Sequence, residues 1–279
     1  MIAFVGSVFS PYYALARRVG RGDPLNHCAL NVALYGERRK HWAMTERGRN
    51  AIGRTKREFV IGPSSVDWDG DALTFRIDEV AAPFPHRLRG VVRAYPSALT
   101  SDAFALDAAG RHCWHPIAPC SRVQVDFQNP AIRWLGDGYF DMNYGAVPLE
   151  LEFRNWEWSR AALRRETIIS YDTVGRNQDG SSLALRFDRK GKVEQLEPLP
   201  RATLRPTGWR VPRTARGDAQ QIATVARTLE DAPFYARSQL SATLLGETVD
   251  MMHESLSLDR FRMPIVQAML PFRMPRRLT

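Results

Sequence analysis

Cysteine is scarce in this 279-residue chain: only Cys28, Cys113 and Cys120 are present. An odd set without framework spacing argues against a disulfide-stapled scaffold and makes a reducing cytoplasm the simplest setting. No apolar run approaches the roughly 20 residues a helix needs to cross a bilayer. Met1 to Phe9 is apolar but short, with no basic leading region and no small-residue cleavage site, so it reads as a strand rather than a secretion signal. Internal repeats and low-complexity segments are missing. So are a Gly-x-Ser-x-Gly elbow and a phosphate-cradling loop around Gly6, Gly20 or Gly22. The net charge of +9 comes without zinc-finger or helix-turn-helix spacing, and without basic runs interleaved with stacking aromatics. Nucleic acid is therefore not an expected partner, which leaves an anionic membrane surface or simple solubility.

What is abundant is alternation. Leu73, Phe75 and Ile77 alternate with polar residues, as do Val123, Val125 and Phe127, then Leu149, Leu151 and Phe153, then Leu183, Leu185 and Phe187. This period of two marks half-buried strands. Turns are expected at Asp69-Gly70, Asp137-Gly138, Asp179-Gly180 and Lys190-Gly191. Many short strands without long helical stretches predict an all-β, antiparallel barrel or sandwich. Helices are expected only at Trp156 to Arg165 and at Leu258 to Met269, the latter interrupted by Pro264. The length favours about two domains. The turn-rich stretch from Gly145 to Pro148 is the best boundary, dividing the chain into 1–146 and 147–279. Arg210 to Asp218 reads as an exposed excursion of the second domain.

Chemistry concentrates between His112 and Asp141. His112-Cys113-Trp114 and Tyr139-Phe140-Asp141 each place two functional side chains two residues apart, hence on one face of a strand. One pair offers an imidazole beside an indole, the other a phenol beside a carboxyl group. Together they make an aromatic pocket with a single acid, suited to chemistry through a carbocation. The plainer reading of Tyr139 and Asp141 is a turn-adjacent pair that orients backbone. His112, Cys113, His115 and Cys120 match no standard zinc spacing, and Pro116 and Pro119 constrain that loop, so no metal is expected. His253-Glu254-Ser255 is a sequence neighbourhood rather than a triad. The seven tryptophans are by default core or rim residues.

Several segments together resemble the carotenoid 1,2-hydratases, or hydroxyneurosporene synthases, of purple bacteria. They include Phe4 to Ala14, Asp23 to Gly36, His41 to Gly48, His112 to Trp114, Gly138 to Gly145, Trp156 to Arg160, Thr228 to Ser238 and His253 to Met274. The similarity runs from end to end. It implies two lipocalin-like β-barrel domains, and the addition of water across the terminal C1–C2 double bond of acyclic carotenoids such as neurosporene and lycopene. The product is a tertiary alcohol, and no organic cofactor is implied. The family's proposed acid falls on Asp141 with Tyr139 beside it, and its His-x-Trp motif on His112 and Trp114.

On that resemblance Asp141 protonates C2, leaving a tertiary cation at C1 that water captures. A buried carboxyl group keeps its proton more readily because burial disfavours the charged form. The ring faces of Trp114 and Tyr139 would flank the cation. His112 would either hold the attacking water and take its proton, or orient the carboxyl group. Glu46, Asp67 and His27 lie in family-like or turn-rich segments without an assignable role. From Arg260 to Arg277, five arginines occur with apolar Phe261, Met263, Ile265, Val266, Met269, Leu270 and Phe272 and without an acid, a mixture suited to an anionic bilayer surface. The expected location is cytoplasmic and peripheral to the inner membrane. The plainer reading is a C-terminal element packed on the second domain. Two other functions fit such a scaffold: a carotenoid carrier without catalysis, and a pericyclase or cyclase.

Overall fold

The computed structural model describes residues 1–37, 39–177, 180–219 and 223–277. Strands dominate, and the helices are short: Pro11–Arg18, Leu149–Glu152, Leu258–Phe261 and Pro264–Arg273. Among the described residues no helix is long and apolar enough to cross a membrane. Two compact units emerge, both built from discontinuous stretches, whereas the sequence suggests one cut at 146/147. The first unit comprises 1–95, 122–138 and 267–279, and the second 96–121 and 139–266.

In the first unit, strands Ile2–Phe4, Cys28–Tyr35 and Lys40–Arg47 pair antiparallel, and Arg276–Arg277 adds in parallel to Lys40–Arg47. An antiparallel meander follows from Ile52–Arg54 through Leu73–Val80 to Arg87–Pro96. Cys28, Leu30, Val32, Ile61, Ile77, Leu88, Val125 and Phe127 form its core. The alternation from Leu73 to Val80 is real, but polar Thr74 and Glu79 are buried as well as Ile77. Glu79 is tolerated inside because Arg47 and Ser64 bond to its two oxygens.

Two long neighbouring strands, His112–Asn129 and Ile132–Gly145, contribute to both units. Their turn lies at Pro130–Ala131, and the chain runs straight through Asp137-Gly138. The expected turn there is corrected. Gly138 serves close packing instead: a Cβ at this position would strike the Val123 side chain. Asp69-Gly70 and Lys190-Gly191 do turn, with Gly70 and Gly191 at φ +112 and +84. Asp179 of the fourth expected turn lies outside the described residues.

The second unit carries a seven-stranded antiparallel sheet with Phe153–Ala162 at its centre, flanked by Glu166–Gly175 and Glu247–Ser257, with Tyr235–Leu244 next. The helix expected at Trp156 to Arg165 is therefore strand as far as Ala162. Residues two apart share a strand face but not a helix face, and here Trp156, Trp158 and Arg160 alternate with Glu157, Ser159 and Ala161. Conversely, Leu149–Glu152, whose alternation suggests a strand, is one helical turn after Pro148, with buried Glu152 ion-paired to Arg111. The C-terminal expectation holds, with Pro264 opening the second of two short helices.

Arg210 to Asp218 is not an exposed excursion. Val211, Arg213 and Ala215 are buried, and Thr214–Arg216 pairs with Arg201–Thr203. The Arg213 guanidinium is satisfied by the Arg205 carbonyl and Ser238 Oγ. Behind the central strand, Ala161, Ile168, Leu204, Leu240, Leu244 and Met251 make this unit's apolar core.

Candidate active site

All four motif residues belong to the second unit, at the ends of the long neighbouring strands away from their turn. Trp114 is 0% exposed. Its Nε1 donates to Oδ2 of Asp141 at 2.7 Å. The Tyr139 hydroxyl donates to the same oxygen at 3.4 Å, a long and weak bond. Indole N–H can only donate, so Oδ2 is held as an acceptor. The acidic proton therefore belongs on Oδ1.

Burial pushes the Asp141 carboxyl from 3.8 up to about 6. The Trp114 hydrogen bond pulls it back, the negative charge of Glu254 pushes it up again, and the Tyr139 hydroxyl lowers it slightly. Burial, then the charges of Asp141 and Glu254, hold the Tyr139 phenol well above its ordinary value, and Tyr171 likewise. Both phenols thus stay neutral donors at physiological pH.

Aromatic rings surround this acid. Tyr139 stacks on Trp158 with centroids 5.2 Å apart, and the Arg160 guanidinium also lies 5.2 Å from the Tyr139 centroid. Phe104 and Tyr171 lie 5.9 and 5.5 Å from the Trp114 ring. Trp114 therefore addresses the carboxyl group through its N–H edge. Trp156 in turn meets Tyr171 edge-on, and the Tyr171 hydroxyl donates to Asn143 Oδ1 at 3.3 Å.

His112 is buried but turned elsewhere. Its Nε2 meets the Val147 carbonyl at 2.9 Å and its Nδ1 faces Asp107 Oδ2 at 3.3 Å. Asp107 also accepts the backbone N–H groups of Ala109, Arg111 and His112. Burial raises the Asp107 carboxyl, but these hydrogen bonds outweigh it and hold the group below its usual range. Phe153 packs edge-on against the imidazole, and Gly145 lies so close that a Cβ there would strike it. The ring is thus locked beside the acid motif rather than bonded to the Asp141 carboxyl group.

Several residues around the acid escape sequence reasoning. Tyr171, Trp158, Glu254 and Arg237 occupy one cross-strand row, and so share one face of the sheet. Reading Trp156 to Arg165 as helix hides this face. The usable signal was Trp-Glu-Trp, two indoles spaced for a strand.

The remaining candidates lie apart. In the first unit, buried His27 and Glu46 meet at 2.8 Å, and Arg276 bonds to Glu46 and to the Asn26 carbonyl. Asp67 makes an ion pair with Arg76. A cavity of about 270 Å³ in that unit is lined by Arg47, Asp78, Arg87 and Arg277, among others, and contains none of the four motif residues. In the second unit, His115 bonds to the Thr100 carbonyl, Cys113 to the Gly110 carbonyl and Cys120 to Thr167. His253 and Ser255 do meet at 3.1 Å, but Ser255 donates to Glu157, and all three are buried on the sheet's other face.

Comparison with known proteins bears on this geometry. The profile of the family "Carotenoid hydratase CrtC" matches residues 1–279. The chain is 55% identical over 277 residues to the acyclic carotenoid 1,2-hydratase of Thiocapsa roseopersicina, covering 99% of this chain and 68% of that one. It is 49% identical to the Rubrivivax gelatinosus enzyme of the same name, covering 99% and 69%. Among solved structures, a Nitrosomonas europaea protein studied under the name AttH superposes with TM-score 0.59 at 14% identity, over 83% of this chain and 80% of that one. CghA with Sch210972 superposes with TM-score 0.53 at 14% identity, over 83% and 79%. These two share the fold alone. A profile match over the whole length and relatives near half identity place the chain in the carotenoid hydratase CrtC family.

Proposed function

We propose that this chain hydrates the terminal C1–C2 double bond of acyclic carotenoids, with Asp141 as the proton donor. Hydratase activity rests on the two relatives at 55% and 49% identity that match 99% of this chain, both acyclic carotenoid 1,2-hydratases. The observation that carries the assignment of the acid is the Asp141 carboxyl, raised to about 6 among aromatic rings, with Trp114 fixing Oδ2. Oδ1 then presents the proton.

An isolated trisubstituted alkene is a very weak base, so its protonation is the hard step. Delivery to C2 puts the charge on C1, a tertiary centre, and water adds there. When the polyene enters, it replaces water around the carboxyl group and raises its proton affinity further. The stacked Tyr139–Trp158 pair supplies electron-rich rings near the developing charge. A desolvated cation–π contact contributes about 2 kcal/mol. Trp114 and His112 serve as positioning residues: Trp114 aims the acid, and His112 anchors the strand segment that carries Trp114.

Each of the two units is read as a lipocalin-like barrel. A peripheral membrane contact completes the proposal, because the substrate is a long apolar chain. On the helix Pro264–Arg273, Ile265, Met269 and Phe272 are exposed and recur at the spacing of one helical face. Arg262 is exposed just before this helix. Arg260 and Arg276, by contrast, spend their guanidinium groups on protein carbonyls and on Glu46.

Product analysis tests the activity. Purified protein incubated with lycopene or neurosporene should give a product one water heavier, and Asp141→Asn should give none. An unchanged substrate would indicate a carrier, and an isomer a cyclase. Flotation on vesicles with and without anionic lipid tests the membrane contact. Binding should weaken when Phe272 and Ile265 become Gln, and binding indifferent to those changes would refute that surface.

A further inference from the structure

Hydration needs a second group besides the acid, because something must hold water against the cation and accept the proton that water sheds. On the reading that Asp141 is the acid, we propose that Glu254 is this group, and that the indole N–H of Trp158 helps to hold the water.

The placement follows from strand register. Trp158 pairs with Tyr171 on one side and with Glu254 on the other, and Glu254 pairs with Arg237. The Glu254 side chain therefore emerges on the sheet face that bears Trp158, next to it. Trp158 stacks on Tyr139, and the Tyr139 hydroxyl reaches Asp141. A short chain of contacts thus links the two carboxyl groups across the aromatic pocket.

Arg237 Nη2 meets Glu254 Oε1 at 2.6 Å, which fixes the side chain and leaves Oε2 to accept from water. Trp158 supplies an independent sign of a polar guest. The residue is 6% exposed, and its Nε1 is buried without a hydrogen-bond partner among the described residues. Buried donors of this kind are usually satisfied by protein or by ordered water. The charge of Glu254 is felt by Asp141, Tyr139 and Tyr171 alike, which agrees with its place in the pocket. Its cross-strand neighbours are Trp158 and Arg237.

The step balances. The alkene π pair takes the proton from Asp141 Oδ1 to form the C2–H bond, leaving C1 electron-deficient. A water lone pair forms the C1–O bond, and one O–H bond breaks with its proton passing to Glu254. Asp141 is left as carboxylate and Glu254 as acid, and one proton exchange with solvent restores both. The sum is alkene plus water giving alcohol.

Substrate incubated in D2O separates the two roles. A cation that is formed but not captured loses a proton and returns as deuterium-labelled alkene. Glu254→Gln should lower alcohol formation about a hundredfold, the usual scale for a general base, while label still enters the recovered substrate. Asp141→Asn should abolish both. Alcohol formation at the native rate in Glu254→Gln would overturn the proposal, and so would loss of label together with product. Label entering in Asp141→Asn would refute Asp141 as the acid, a different failure. Glu254→Asp guards against misfolding: it should fold and show a reduced ratio of alcohol to label, and a native ratio would sink the idea. Trp158→Phe, which keeps the stack but removes the N–H, should lower the same ratio several-fold.

Discussion

The indole N–H of Trp114 lies 2.7 Å from Oδ2 of Asp141, so the two halves of the sequence motif are joined by one hydrogen bond between neighbouring strands. That bond has two effects of opposite sense. It aims the carboxyl group, and it favours the ionised form, lowering the proton affinity that burial raises. Trp114→Phe should separate them. Without the donor, the midpoint of the activity decline with pH should move above about 6, while the low-pH plateau falls. Hydrogen bonds to charged groups contribute about 1.5–3 kcal/mol, which corresponds to roughly ten- to hundredfold in rate. A pH–rate profile of carotenoid hydration reads both. A midpoint that moves down would contradict the arrangement.

The native enzyme should itself be an acid-form catalyst. With the carboxyl group at about 6, about one molecule in ten is protonated at pH 7. Hydration should therefore fall about tenfold for each further pH unit above that. A flat profile from pH 5 to 8 would show that substrate binding alone keeps the proton in place.

The same group makes stability depend on pH. Its folded-state value is raised above its unfolded one, so the native state binds the proton more tightly. The resulting stability is present below about pH 4 and is lost as pH rises through about 6. A displacement from 3.8 to about 6 corresponds to about 3 kcal/mol at most. Asp141→Asn, which carries no charge to desolvate, should gain up to that amount over the native chain between pH 4 and pH 8. Urea unfolding at the two pH values measures it, and equal differences at both would disprove a desolvated acid.

Much of this site was legible before the fold was known, and what was not has physical causes. The period-two rule puts Trp114 and Asp141 on neighbouring strands, where they meet, but it does not show that His112 turns to Asp107 and Val147 instead. The turn at Asp137-Gly138 misled because glycine serves two needs. Here it makes room for Val123 rather than reversing the chain. Trp156 to Arg165 misled because local composition cannot report strand partners, and this segment is central in its sheet. Glu254 and Arg237 were invisible for the same reason, since their place beside Trp158 exists only through register. The helix Pro11–Arg18, by contrast, has its signal in the sequence: Ser10 caps it, Pro11 opens it, and Arg17 and Arg18 close it.

His112 offers a test of positioning without touching its own chemistry. Gly145 backs onto the imidazole, and a methyl group there would strike its ring. Gly145→Ala should push the ring off Asp107 and Val147 and cost about 1–3 kcal/mol of stability, as overpacking usually does. Because Trp114 follows two residues along the strand, hydration should fall as well, through kcat rather than KM. Thermal melting together with steady-state kinetics decides this. A variant with native stability and native kcat would show that the imidazole is not held as described.

Glu46 and His27, to which the sequence assigns no role, occupy a place apart from the acid motif. They are buried in the first unit, where Arg276 reaches them from the C-terminal strand paired to Lys40–Arg47. Breaking a buried ion pair by removing one charge typically costs about 3–5 kcal/mol, because the other charge is left uncompensated. Glu46→Gln should therefore lower the stability of this unit by about that amount. It should also speed hydrogen exchange at the backbone N–H groups of Glu46 and Gly48, which bond to the Pro275 and Arg277 carbonyls. Hydration per folded molecule should stay native, since none of the four motif residues is involved. If instead activity collapses while exchange at Glu46 and Gly48 stays slow, this cluster belongs to the chemistry and not to the fastening of the C-terminal strand.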